Sequence, residues 1–342
     1  MTSLSTVLST GSSRNWAAPR RGRAGMPAPA VLAAALLGLA CGNYSNEDLE
    51  FMSAIPQRDD VTVALPLRSS LPGIGIADGW KTTLEVTRGL NGTADAFLSL
   101  IEKVRTYYPT SRRANDRVWG PFPSDENPGW RVEFRMSKLV DLPEPRFTYA
   151  LVMMPPAGVA LPGNASETAI ITGSFDAAAG VRVGVGHLDV TPEDARTAGV
   201  AFRGLEKLRL LAIDYNTRDW PRRVHMRIVN APPIDPSDAA EADYIYERSG
   251  NGDGAMTFTF PEDVVDGPVG SPSLDETLMV ESRWLGTGPG RADNSVTGGN
   301  LVDGATSIEC WGEDFRQSYK FESWRDVLTR ESGDPLSCIP RL

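Results

Sequence analysis

Histidine is nearly missing from this chain: two of its 342 residues, His187 and His225, are histidines. A His-rich metal site or a Ser-His-Asp relay therefore has little to build on. No G-x-S-x-G elbow occurs, which removes the commonest serine-hydrolase signal. Long hydrophobic runs are lacking too. The run from Val31 to Ala40 holds ten apolar residues, too few to cross a bilayer as a helix. Cysteine is scarce, with three in the whole chain. Base is in short supply beyond residue 40, since residues 1–40 contain four arginines and no acid. Removing them leaves 30 basic against 44 acidic side chains, a net charge near −14. That balance repels nucleic acid, whose binding depends on clustered Lys and Arg releasing counterions.

What is present begins with "VLAAALLGLACGN". Arg20, Arg21 and Arg23 precede the apolar run, the proportions of a secretory signal over residues 1–40. Ala40 before Cys41 supplies the small-residue junction at which bacterial lipoproteins are cut and acylated. Gly38 stands three positions before the cysteine, where Leu is usual, so an ordinary secretory cut near Ala40 is the alternative. Cys41 is thus the expected lipidation site, and the expected partner is a membrane, held through acyl chains whose buried methylenes contribute about 0.8 kcal/mol each. Gly42 lacks the acidic signal of inner-membrane retention, which favours the outer membrane. With Cys41 acylated, Cys310 and Cys338 form an even pair in an exported body and are expected to bond, two free thiols being the alternative. Closing that loop removes on the order of 3 to 4 kcal/mol of unfolded-chain entropy.

Residues 41–82 are poor in periodic signal and rich in polar, Pro and Gly residues, and read as a lipid-anchored tether, with Leu49, Phe51 and Met52 able to pin a short helix. The clearest helix follows, with Thr93 as N-cap and Phe97, Leu100, Ile101, Val104 and Tyr108 as one apolar stripe before Pro109. From Arg117 onward, short alternating runs are broken by turn residues. In "WRVEFRMSK" Val132, Phe134 and Met136 face one way and the charges the other, and "RRVHMRIVN" repeats the pattern, as an antiparallel sheet with one buried face requires. Ten further segments, from "FTYALVMMP" to "FRQSYKFES", read as strands. "SGNGDGA" marks a hairpin turn. A short helix is expected from Thr191, with Asp194 completing a capping box. The class is α+β, predominantly β: a large curved antiparallel sheet or partly closed up-and-down barrel over 83–325, one main helix packed on it, and a tail 326–342 tied back by the disulfide.

The order of "NEDLEF", "LNGTADAFLSLIEKVRTYYPTSR", "VWGPFP", "NPGWRVEF", "ESRWLGTGPGRADNSVTGG" and "IECWGEDFRQSYK" resembles a group of bacterial lipoproteins of myxobacterial type. The similarity covers most of residues 41–325. It implies lipoprotein status and brings no known activity, catalytic residue or cofactor.

Candidate chemistry is thin. His225, between two arginines, reads as a solvated strand residue. His187 shares parity with Val181, Val183 and Val185, so it points inward or sits at the strand end, and reads as a satisfied structural histidine. Gly184 and Gly186 lack the third glycine of a dinucleotide fingerprint and read as strand-packing glycines. "NGDG" resembles part of a calcium loop, but the twelfth position counted from Ser249 is Phe260 rather than Glu. Trp119, Trp130, Trp284 and Trp311 read as packers rather than a sugar platform. The most distinctive recognition candidate is the glycine-rich segment 286–300, carrying Arg291, Asp293 and Asn294, with a plain tight turn and an Arg291–Asp293 pair as the alternative. The expected function is a non-catalytic binding or scaffolding module of the cell envelope, holding an apolar ligand or a partner peptide in the curved sheet. The alternative is an exported glycosidase-like hydrolase drawing on Asp176, Asp189, Asp214, Asp219 and Glu281.

Overall fold

The computed structural model describes residues 44–66, 75–140, 142–178, 180, 182–202, 206–230, 241–262, 276–299 and 301–339. The signal segment and Cys41 lie outside the described residues. Fifteen strands form one antiparallel meander in chain order. They are β1 (Ser111–Arg113), β2 (Asp116–Pro123), β3 (Arg131–Leu139), β4 (Arg146–Met154), β5 (Thr168–Ala177), β6 (Gly184–Val190), β7 (Leu208–Asn216) and β8 (Arg222–Asn230). The second half holds β9 (Glu241–Arg248), β10 (Gly254–Glu262), β11 (Glu276–Trp284), β12 (Gly290–Gly298), β13 (Leu301–Trp311), β14 (Gln317–Glu322) and β15 (Glu331–Gly333). The sheet is curved and stays open, with β1 and β15 as its edges. All twelve segments read as strands are strands. β1, β2 and β15 are additions: Gly120, Pro121 and Pro123 obscure the pattern of β2, whose register shifts between Trp119 and Phe122.

The inner face carries the apolar half of each strand, and three helices cover it: α1 (Asn46–Ser53), α2 (Arg58–Val61) and α3 (Asp78–Val104). α3 runs 27 residues, about 40 Å at 1.5 Å per residue. It therefore starts well before Thr93, the expected N-cap. The Thr93 hydroxyl donates to the Gly89 carbonyl at 3.0 Å, inside the helix. The apolar stripe extends back through Leu90 and Leu84 to Trp80, and the polar positions within it are satisfied from the sheet: Thr83 Oγ1 donates to Ser282 Oγ at 2.8 Å. Ala77, at the N-cap, makes no side-chain bond. Glu309 of β13 serves instead, its Oε2 accepting the Gly79 N–H, which places a carboxylate at the positive end of the helix. Gly79 permits this approach, since a Cβ there would stand 2.8 Å from Ala292 Cβ.

Glycines on inner-face strand positions have a shared cause. The ring of Tyr215 lies flat over Gly186 and that of Trp311 over Gly290, 2.0 and 2.2 Å from where a Cβ would sit. Tyr149 over Gly173 and Trp284 over Gly254 repeat the device. Each large ring is laid along the sheet, which leaves depth for the helix above. Trp119, Trp284 and Trp311 are fully buried and Trp130 nearly so.

Residues 44–66 and 75–82 are part of the body and not a free tether. α1 is fixed to β2 by a buried ion pair: Arg117 Nε donates to Asp48 Oδ1 at 2.6 Å, and both side chains are 2 % exposed or less. Arg117 Nη2 donates to Glu47 Oε2 at 2.7 Å, Arg112 Nε to Asp48 Oδ2 at 3.0 Å, and the Ser45 N–H to Asp48 Oδ2 at 3.0 Å. Phe51 meets Phe147 edge-on at 5.3 Å. Asn91 of α3 grips the backbone of Val63 with two bonds of 2.9 Å, so the chain after α2 is tied down as well. The short helix α4 (Glu193–Thr197) follows Pro192 as expected, but its N-cap makes no side-chain bond and the capping box from Thr191 does not form. Cys310 and Cys338 are bonded, with Cα atoms 5.3 Å apart, and hold the tail against the outer face of β13.

Burial pushes the Asp48 carboxyl up, but the Ser45 N–H and the Arg117 and Arg112 guanidinium groups outweigh it and hold it below its ordinary value. A carboxyl depressed in the folded state adds stability above its unfolded pKa, about 4, and loses it as pH falls through the folded value. Asp48→Ala is expected to cost about 3 to 5 kcal/mol by leaving the buried Nε of Arg117 without its carboxylate, the mostly exposed Glu47 being the one acid still paired with it. Asp48→Asn is expected to lose part of the wild-type fall in stability below about pH 4. Urea denaturation at neutral and acid pH checks both, and unchanged midpoints would show that the pair does not hold α1.

Candidate functional site

The glycine-rich recognition candidate resolves into ordinary structure. A tight turn at 285–289 is closed by Leu285 N–H to the Pro289 carbonyl at 2.8 Å, and Arg291, Asp293 and Asn294 lie on β12 rather than on a flexible loop. Arg291 and Asp293, two apart and so on the same face, form a bidentate pair at 2.8 and 2.6 Å with 16 % and 14 % of their side chains exposed. Asn294 points to the inner face and donates to Ser307 Oγ at 2.9 Å. The "NGDG" carboxylate is spent on turns: Asp253 accepts from Asn251 Nδ2 at 2.8 Å and from the Gly286 N–H at 2.9 Å.

The two histidines both lie on the outer face, on either side of Asp214. The parity that groups His187 with Val185 is right and the direction opposite, because Gly184, Gly186 and Leu188 face inward to receive the rings of β5 and β7. Ser174, His187, Asp214 and His225 stand in register across β5 to β8. His187 Nδ1 meets Asp214 Oδ1 at 2.7 Å and Nε2 meets Asp189 Oδ2 at 3.0 Å; His225 Nε2 meets Asp243 at 2.9 Å. Both nitrogens of His187 end on carboxylates, so neither is free to take a proton from Ser174. The neighbouring backbone N–H groups belong to strands bonded on both sides and offer no oxyanion donors. Among the described residues no three of His, Cys, Asp and Glu converge as metal ligands. Of the carboxylates weighed for hydrolysis, Asp176 is paired with Arg146, Asp189 and Asp214 flank His187, Glu281 lies 3.7 Å from Arg283, and Asp219 is in an exposed turn. They stand along an open sheet face and do not oppose one another across a cleft.

A cleft does exist at the rim of the inner face. It encloses about 230 Å³ between the α2 segment and the ends of β8 and β9, lined by Asp59, Asp60, Thr62, Ala64, Arg222, Val224, Tyr246 and Arg248. The Tyr246 hydroxyl bridges to the Ala64 backbone at 3.2 Å and forms its floor with Val224. Asp60 is buried and accepts from Arg182 Nη2 at 2.6 Å. Arg222 and Arg248 are direct cross-strand partners, a like-charge opposition that destabilises a sheet. Among the described residues neither has a carboxylate within 4.0 Å, and Asp59 has no cation within that distance. The Arg222 guanidinium lies 5.0 Å from the centre of the Trp220 ring, which is 57 % exposed. Two cations with no carboxylate partner among the described residues, and a carboxylate among the other lining residues, suit a small ligand with an anionic group. None of these residues was singled out in the sequence. Arg222 and Arg248 occupy inner-face parity, two positions from Val224 and Tyr246, and a charge in that phase was the available signal.

No family model, no curated protein and no solved structure matches the chain.

Burial lowers the proton affinity of His187, but Asp214 and Asp189 outweigh it and hold the imidazole above its ordinary value. A raised folded pKa adds stability below the unfolded value, about 6.5, and loses it as pH rises through the folded value. NMR titration is expected to place His187 above 6.5, and His187→Gln to flatten the decline in urea midpoint across that pH range. A midpoint no less pH-dependent in the variant would overturn the assignment.

Proposed function

We propose that this chain is an exported, lipid-anchored binding module of the cell envelope, performing no covalent chemistry, with the arginine-rimmed cleft as its ligand contact. The observation that carries the exported reading is the Cys310–Cys338 bond, a cross-link that persists in oxidising compartments. It joins a leader with a small-residue and cysteine junction at Cys41. α3 occupies the hollow of the sheet over β11 to β13, so the ligand is met at the rim. The ligand class is a small anion, carboxylate or phosphate, whose charge lies between Arg222 and Arg248. A cationic end, where the ligand has one, lies toward Asp59.

Labelled palmitate is expected to enter the wild type and not Cys41→Ser; equal incorporation would sink the anchor. Thermal unfolding separates the cleft from a merely structural pair. Inorganic phosphate, compared with chloride at equal ionic strength, is expected to raise the wild-type midpoint, the stabilisation reaching about 2.7 kcal/mol at a hundred times Kd. Arg248→Glu replaces repulsion with attraction and is expected to gain about 0.2 to 1 kcal/mol without phosphate, and to show no response to it. The same phosphate response in both proteins would reject the site.

A further inference from the structure

We propose that the face formed by Tyr44, Leu49, Tyr107 and Tyr108 lies against the surface of the lipid bilayer. The proposal rests on the reading of Cys41 as the acylated residue, and adds to it a protein surface that the anchor alone does not require.

Tyr44 is three residues from Cys41, so the two Cα atoms are at most about 11 Å apart even in a fully extended chain. Tyr44 is itself firmly held. Its hydroxyl donates to the carbonyls of Tyr107 at 3.1 Å and Arg105 at 3.3 Å, and its ring packs 4.5 Å from Tyr108. Tyr107 and Tyr108 are 43 % and 45 % exposed, and Leu49, one helical turn beyond Ser45, is 50 % exposed. An acylated cysteine sits at the boundary of hydrocarbon and headgroups. Tyr44, within about 11 Å of it, is held near headgroup depth, and Tyr107 and Tyr108, which bind its hydroxyl and its ring, are held beside it. Tyrosine, with an apolar ring and a polar tip, is enriched at that depth.

Charge supports the same orientation. The mature chain is strongly acidic, yet the three acids of α1 face three cations: Glu47 pairs with Arg117, Asp48 with Arg117 and Arg112, and Glu50 with Lys138. The face next to the anchor is therefore spared the repulsion that the rest of the molecule would feel from anionic headgroups.

The acylated full-length protein, carrying Tyr108→Trp or Leu49→Trp, is reconstituted into vesicles of phosphatidylcholine brominated on its acyl chains. A parallel sample carries Arg227→Trp on the outer face of β8. The emission added by Trp at 108 or 49 is expected to be quenched several-fold more than that added at 227. Equal quenching at all three positions, or none, overturns the proposal. Absence of quenching together with concentration-dependent dimerisation assigns the face to a second copy of the chain and also overturns it. Mass spectrometry of the same samples keeps the two readings apart. Without an acyl group on Cys41 the lipoprotein reading fails and this proposal with it; with the acyl group present and no quenching, this proposal fails alone.

Discussion

An open sheet of fifteen strands has one apolar face and no closure to hide it. Burying a large apolar side chain is worth about 1.5 to 3 kcal/mol, and the inner face carries one or more on most of its strands, so leaving it wet would forfeit most of what stabilises the fold. The cover is assembled from the N-terminal third of the chain: α1 over β2 to β4, α2 and the strap behind it over the middle strands, and α3 toward β11 to β13. The flat-lying rings over Gly173, Gly186, Gly254 and Gly290 set the depth at which that cover sits.

Apolar contact alone would let the helices slide, because burial is not directional. Three polar contacts fix their positions. Asp48 and Arg117 lock α1 to β2, Glu309 receives the first turn of α3, and Asn91 holds the strap at Val63. Each is buried or nearly so, where a misplaced partner would leave a desolvated group unmatched. The Glu309 carboxyl is pushed up by burial, with the Gly79 and Asp78 N–H groups opposing the shift, so the cap is held at an electrostatic cost that the helix end partly offsets.

Arg222 and Arg248 oppose each other where the inner face runs out under α2, a like-charge contact that costs the sheet stability. The outer face differs, since its arginines mostly have acids beside them: Arg223 with Glu247, Arg227 with Glu241 and Arg135 with Glu167. Such exposed pairs add little stability, but they keep the face wet and charged.

Alternation of period two is written locally, so the strands from β3 to β14 were legible in the sequence. So was the even pairing of Cys310 with Cys338, which needs only a count. α3 was half legible: Phe97, Ile101 and Val104 announce a stripe, whereas Thr83, Thr87 and Gly89 read as a poor helix until the sheet supplies partners for the hydroxyls. Which face of β6 is wet was not legible, because Val185 and His187 look inward on hydropathy and only the rings of Phe175 and Tyr215 show that the glycines must face the core. The Arg222–Arg248 opposition and the Asp48–Arg117 pair depend on register and on packing between residues far apart in the chain. The sequence by itself determined the sheet, its order of strands and the cross-link, through periodicity and composition. Tertiary structure alone decided the cleft and the cover, because two charges become neighbours only when the strands that carry them are aligned.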